Sequence, residues 1–290
     1  MKRITSLFAA ALALWLAAWP ALAEPPMWVV EAKGARIVLF GSVHLLSHRS
    51  DGWRTPELEA ELAKTRSIWF EIPFDDASRA EASKAAGAQG LLPAGQTLRS
   101  QMTPEARARL ERIAPKIGMD VALLDRLKPW LAEVMITTAQ AVRDGASETL
   151  GVETQLQAST PPQVRRRAFE SPAEQIGFFS GATMSDQQAS LADTLRQIEE
   201  EPDAFAKLEN AWTEGDVDTL VEEAVEPLKK QAPGLYDRLV ASRNRRWVAV
   251  IEGLLKRKER AFIVVGVGHL VGPGGVPALL RAKGFRVEGP

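Results

Sequence analysis

The 290-residue chain has no cysteine. That excludes disulfides, thiolate metal sites and a cysteine nucleophile. Histidine is almost as scarce: His44, His48 and His269 are the whole set, so any imidazole chemistry rests on these three. Charge of one sign is also missing. The 36 Lys and Arg residues nearly cancel the 37 Asp and Glu residues, for a formal net charge of −1. Such a balance gives no electrostatic case for nucleic acid or an anionic membrane surface as partner. Beyond the first residues, no stretch approaches the roughly 20 apolar residues a membrane helix needs.

The amino terminus is different. Lys2 and Arg3 precede an apolar stretch from Leu7 to Ala18, and Ala21-Leu22-Ala23 forms a small-x-small site before Glu24-Pro25-Pro26. This is the pattern of a secretory signal peptide over residues 1–23. The expectation is a bacterial exported, periplasmic protein with no stable membrane span after cleavage. No cysteine follows Ala23, which excludes a lipoprotein anchor. Residues 24–290, with most of the eight tryptophans, supply enough core for a single domain.

The stretch that organises the chain lies near its end. Ala261-Phe-Ile-Val-Val265 is an apolar, β-branched run that reads as a buried strand. It breaks at Gly266 and Gly268, and His269 follows. Gly266-x-Gly268 begins a dinucleotide-type fingerprint, but the third position is Val271 and too little chain remains for the ribose-binding acid. A second corner of the same kind lies at the other end. A predicted β-hairpin, 27–32 and 36–40 around Lys33-Gly34, leads into Gly41-Ser42-Val43-His44. Each histidine thus follows a buried strand through Gly-x-x-His. His48 is set aside, because Ser47 and Gly52 argue against the helix that would align it with His44.

Between these corners, Ser67-Ile-Trp-Phe70 reads as a strand with Glu71 at its carboxyl end. A lone charge in such an apolar run needs a partner, unless the strand lies at an edge with Glu71 facing outward. Residues 75–100 are small and polar and read as a mobile connection. Helices are expected near 105–113, 120–127 and 129–143. Gly151-Val152-Glu153 and 163–169 bracket a further strand-bearing unit. Glu170 ends it, either as a second site acid or as a helix-terminal acid ahead of the capping-box pattern Ser171-Pro172-x-Glu174. From 172 to 258 the pattern is nearly all helical. In its last helix, about 235–258, Arg243 interrupts an apolar face formed by Leu239 and Val250 and calls for a carboxylate or anionic ligand.

The fold class is therefore α/β: a mixed central sheet built from strand–helix units, with a mostly helical lobe, about 100–258, inserted between the sheet halves. If the strands are parallel neighbours, His44, Glu71, Glu170 and His269 converge at one sheet edge, with Arg243 brought in from the helix. Two imidazoles and a carboxylate (His44, His269, Glu71) are donors suited to a divalent Mn, Co or Zn ion. Glu71 or Glu170 would then serve as general base, with Arg243 stabilising an oxyanion. Without metal, the same groups could perform His/Glu acid–base hydrolysis.

These residues resemble the TraB/GumN family, which includes the TIKI metalloproteases. The resemblance rests on Phe40 to His44, Trp53-Arg54-x-Pro56, Glu71, Phe169-Glu170-Ser171-x-x-Glu174-Gln175, Arg243-Asn244 and Val265 to Val276, and spans about 27–288. It implies a fold akin to the erythromycin-esterase and ChaN-like haem-uptake proteins. It also implies metal-dependent cleavage of a peptide or protein substrate by His44, Glu71, Arg243 and His269, with Glu170 a further member. The Gly-Leu-Asp usual in bacterial relatives is Gly151-Val152-Glu153 here, which puts a metal role at that position in doubt. Two alternatives are a periplasmic haem- or metal-binding protein without turnover and a polysaccharide-associated interaction protein.

Overall fold

The computed structural model describes residues 24–290; the expected signal segment, residues 1–23, lies outside the described residues. Lys33 and Gly34 both take positive φ, 46° and 92°, the geometry a two-residue hairpin turn requires. They join β1 (Met27–Ala32) to β2 (Ala35–Ser42) in antiparallel register, from Met27 opposite Phe40 to Ala32 opposite Ala35. Four further strands complete one sheet: β3 (Ser67–Phe70), β4 (Arg165–Ala168), β5 (Arg260–Gly266) and β6 (Arg286–Glu288). Their order is β4-β3-β5-β2-β1-β6. β2, β5, β3 and β4 run parallel, while β1 is antiparallel to both β2 and β6. The expected α/β class with a mixed central sheet is therefore what the chain adopts.

Position in the sheet follows composition. β2 and β5, the most apolar runs, are central and almost fully buried, whereas the Arg165-Arg166-Arg167 strand is exposed at the edge. Charge on an edge strand blocks further pairing. Trp28, Ile37, Phe40, Phe70, Trp212 and Phe262 are among the large side chains of the core around this sheet. A separate core, including Leu110, Ile113, Leu124, Ile136, Leu191 and Leu195, holds together the helices Pro104–Ile113, Pro129–Arg143 and Met184–Glu200. Among the described residues no helix is long and apolar enough to cross a membrane.

Two local expectations change and a third gains detail. Residues 75–100 are not an irregular connection, because Asp76–Gln89 is a helix capped by the Asp75 side chain. Its alanines favour helix strongly enough to carry Gly87, and its lack of an apolar stripe hid it. The unit bracketed by Gly151-Val152-Glu153 and 163–169 does bear a strand, β4, preceded by the helix Val152–Ser159. The expected helix over 235–258 is not uniform: Pro233–Tyr236 passes through a π turn, Asp237–Ala241, into Ser242–Lys256. The stretch 100–258 also contributes β4 to the sheet, and Trp247 and Ile251 of Ser242–Lys256 join the sheet core.

Candidate functional site

Because β2, β3, β4 and β5 are parallel, the residues following them emerge at one edge. His44 follows β2, Glu71 follows β3, Glu170 lies two residues past β4, and His269 ends a 3-10 turn, Val267–His269, past β5. Pairing continues beyond the strands, with Glu170 N–H donating to the Glu71 carbonyl at 3.0 Å. Glycine is needed at the first corner, since a Cβ on Gly41 would meet Val267 Cγ2 at 2.9 Å.

Arg243 is the hub. It is 4% exposed and all five of its N–H groups have acceptors. Nε donates to both Glu170 oxygens at 3.1 Å. Nη2 donates to Glu71 Oε2 at 2.5 Å and to Glu170 Oε2 at 2.9 Å. Nη1 donates to the Leu239 carbonyl at 2.8 Å and faces His269 Nε2 at 3.1 Å. The Trp247 ring lies beneath the guanidinium, 4.7 Å from its central carbon. The expected pairing of Arg243 with a carboxylate is present twice over. No N–H is left for a substrate oxyanion, so in this arrangement Arg243 organises the site and does not stabilise a transition state directly.

Glu170 is equally occupied. Besides Arg243 it accepts from Arg246 Nη2 and Trp247 Nε1, both at 3.0 Å. The Ser171/Glu174 capping box closes the helix Pro172–Ser180 beside it. With its oxygens saturated, Glu170 is an anchoring acid and has no lone pair directed at a substrate. Glu71 accepts the Gly266 N–H on Oε1 at 2.8 Å, and on Oε2 it accepts Gln175 Nε2 at 3.0 Å as well as Arg243. Burial opposes its ionisation, but neighbouring positive charge holds the carboxyl down to about 2. His269, Arg243 and His44 supply that positive charge at the low pH where Glu71 titrates.

The state of His269 follows from Asn244. Asn244 Nδ2 donates to the carbonyls of His269 and Gly274, leaving Oδ1 as acceptor for His269 Nδ1 at 2.6 Å. The proton therefore sits on Nδ1, and Nε2 offers its lone pair to Arg243. Burial, assisted by Arg243, pushes the imidazole down to about 3.

His44 is built differently. Its Nδ1 lies 2.9 Å from Glu153 Oε1, and the side chain is 62% exposed. Glu153 is buried and also takes the Ser42 hydroxyl. The helix Val152–Ser159 delivers it because Gly151 packs on the His44 carbonyl, where any Cβ would clash, and Val152 N–H donates to the Val43 carbonyl at 3.2 Å. Glu153 draws the His44 imidazole upward. With that side chain open to water, solvent screens part of the effect. Nε2 of His44 has no hydrogen-bond partner among the described residues.

His44, Glu71, Glu153 and Gln175 line a cavity of about 660 Å³ together with Trp130, Glu133, Phe179, Leu235 and Leu239. That volume falls within the usual range of small-molecule sites. His48 lies elsewhere, exposed beside Asp51.

The residues expected to hold a divalent ion do not fit one as they stand. His269 Nε2 faces the Arg243 guanidinium, both Glu71 oxygens are held, and only His44 Nε2 is open. Among the described residues no group of three or more His, Asp or Glu side chains is arranged to hold a metal. Sequence reasoning missed Glu153 as the partner of His44 and Asn244 as the partner of His269. It also missed Glu209, which is fully buried. Glu209 accepts from Ser47 N and Oγ, Arg49 Nη2 and Ser50 Oγ at 2.6–3.0 Å, fixing the loop after His44. The adjacency of Arg243-Asn244 and the glycine before Glu153 were the available signals.

No curated protein and no solved structure matches the chain. The model of the TraB/PrgY/gumN family matches residues 26–289, the whole of the folded region just described. The chain belongs to the TraB/PrgY/gumN family.

Proposed function

We propose that this protein is a hydrolase of amide or ester bonds, peptides being the first class to test, with His44 and Glu153 as its proton-transfer pair. One observation carries the reading: a histidine whose Nδ1 is anchored on a buried carboxylate presents an unpartnered Nε2 to a ligand-sized cavity. Glu153 holds the Nδ1–H tautomer and stabilises the imidazolium. His44 Nε2 takes a proton from the attacking water and returns it to the leaving nitrogen or oxygen. Glu71, locked by Arg243, keeps a fixed negative charge beside the reacting centre. Gln175 donates one amide N–H to Glu71 and offers its second to the substrate carbonyl. Kinship with the erythromycin-esterase and ChaN-like folds, and export to the periplasm after loss of residues 1–23, belong to the same reading. Mass analysis of the mature amino terminus checks the export.

Metal-assisted hydrolysis with His44, His269 and Glu71 as ligands is the second reading. It is favoured by the two imidazoles, each anchored through Nδ1 by an oxygen acceptor, an arrangement typical of metal-binding histidines. It requires Arg243 to withdraw from His269 Nε2. The test is peptide-library and ester hydrolysis by the purified protein with chelator and with added Mn, Co or Zn. Turnover that survives chelation and falls roughly 10²–10⁴-fold in His44→Ala supports the acid–base reading. Turnover that appears only with metal replaces it by the second reading. No turnover under any of these conditions refutes both.

A further inference from the structure

Six carboxylates line the cavity: Glu71, Glu133, Glu148, Glu153, Asp193 and Glu223. No lysine or arginine lines it. Five of the six have a basic partner. Glu71 has Arg243, Glu153 has His44, Glu148 has Arg79 at 3.6 Å, Asp193 has Arg196 at 3.0 Å, and Glu223 has Lys207. Among the described residues Glu133 has none. It projects from the helix Pro129–Arg143 of the lobe into the cavity lining. Its Oε1 accepts the Ser190 hydroxyl at 2.7 Å and the Thr194 hydroxyl at 2.9 Å, while Oε2 has no protein partner. One turn earlier on the same helix, Trp130 is 2% exposed, lines the cavity, and has an Nε1–H without an acceptor.

An isolated carboxylate in such a wall is costly unless a cation reaches it or it takes up a proton. Burial does push the Glu133 carboxyl up, to about 7, against the pull of its two hydroxyl donors. Val134, Phe179, Leu228 and Leu239 give the cavity apolar surface, interspersed with uncharged polar groups such as Thr137, Thr138 and Gln197. We infer that Glu133 is the cation-binding end of the substrate site, so that the cavity takes a ligand with an apolar body and an ammonium group. The inference rests on the hydrolase reading for what happens to such a ligand, but not for its binding. For a peptide, the matching features are a free amino terminus or a lysine side chain next to apolar residues.

The binding experiment is independent of turnover. n-Hexylamine and 1-hexanol, equal in apolar length and different in charge at pH 8, are compared by ligand-observed NMR titration of the mature protein. The expected result is at least a tenfold preference for the amine, the size of one charge-assisted hydrogen bond. In Glu133→Gln, which keeps an acceptor for both hydroxyls, the preference should fall to within about threefold, with the circular dichroism spectrum and thermal midpoint unchanged or raised. His44→Ala should keep the preference, so amine binding without turnover refutes the hydrolase reading alone. Equal binding of the two probes, no binding of either, or an undiminished preference in Glu133→Gln overturns the cation subsite. Glu133 would then be a protonated bridge between the helices Pro129–Arg143 and Met184–Glu200.

Discussion

At the scale of single residues, the two histidines that look equivalent in the sequence have opposite electrostatics. His269 is buried, neutral and held by Asn244 and Arg243, whereas His44 is exposed, drawn upward by Glu153, and free at Nε2. Activity dependent on a His44 base should therefore rise with pH through an inflection above the ordinary histidine value. Glu153→Gln should move that inflection back toward 6.5 and lower kcat, which a pH–rate profile on both proteins would show. Arg243 is the residue whose loss should harm stability most, because Glu71 and Glu170 would be left as buried charges. Arg243→Met should lose about 3–5 kcal/mol in urea unfolding. Arg243→Lys should lose less, but it should not restore the wild-type midpoint, since an ammonium cannot span both carboxylates. The positions of Glu71, Glu170, Arg243 and both histidines were legible because each interrupts or ends an apolar pattern. Their division of labour was not. It depends on which lone pairs and N–H groups are already taken, and those partners lie up to 195 residues away in the chain.

At the scale of elements, the strands were the most readable features. Their β-branched runs are bounded by glycine, and the Lys33-Gly34 turn sets the hairpin register. The helix Asp76–Gln89 was obscured by the absence of an apolar stripe, and the helix Val152–Ser159 by a glycine whose reason, the His44 carbonyl, is a tertiary contact. The same holds for Glu209 in the helix Ala204–Glu214, which anchors the loop 47–50. Glu209→Gln weakens charge-assisted bonds from three residues. It should destabilise the protein by about 1.5–3 kcal/mol and, by loosening the segment that follows His44, lower kcat more than it alters KM. Steady-state kinetics beside urea melts would separate the two effects. Stability loss with unchanged kcat would confine Glu209 to a structural role.

For the molecule as a whole, the site sets the acid limb of stability. His269 is depressed to about 3, so its contribution is complete above pH 6.5 and falls away as pH drops from 6.5 toward 3. Glu71 is depressed to about 2, so its contribution is present above about pH 4.5 and is lost as pH falls toward 2. Urea midpoints should decline in two overlapping stages between pH 7 and 3, and His269→Gln should remove the upper one. The lobe and sheet cores meet across the cavity, and the chain passes from one side to the other through the π turn Asp237–Ala241. Leu235 before it and Leu239 within it pack with Ala182 and Ala232; after it, Trp247 and Ile251 pack on the sheet. A π turn holds one residue more than an α-turn, so it offsets the two packing faces by about 100° of helical phase. Deleting Val240 would make the helix regular and put its halves back in phase. It would also swing the Arg243 side of the helix away from Glu71 and Glu170 while Leu235 stayed seated in the lobe. The helix works as a shaft with a built-in angular offset between two gears, and a chain one residue shorter here could engage only one of them.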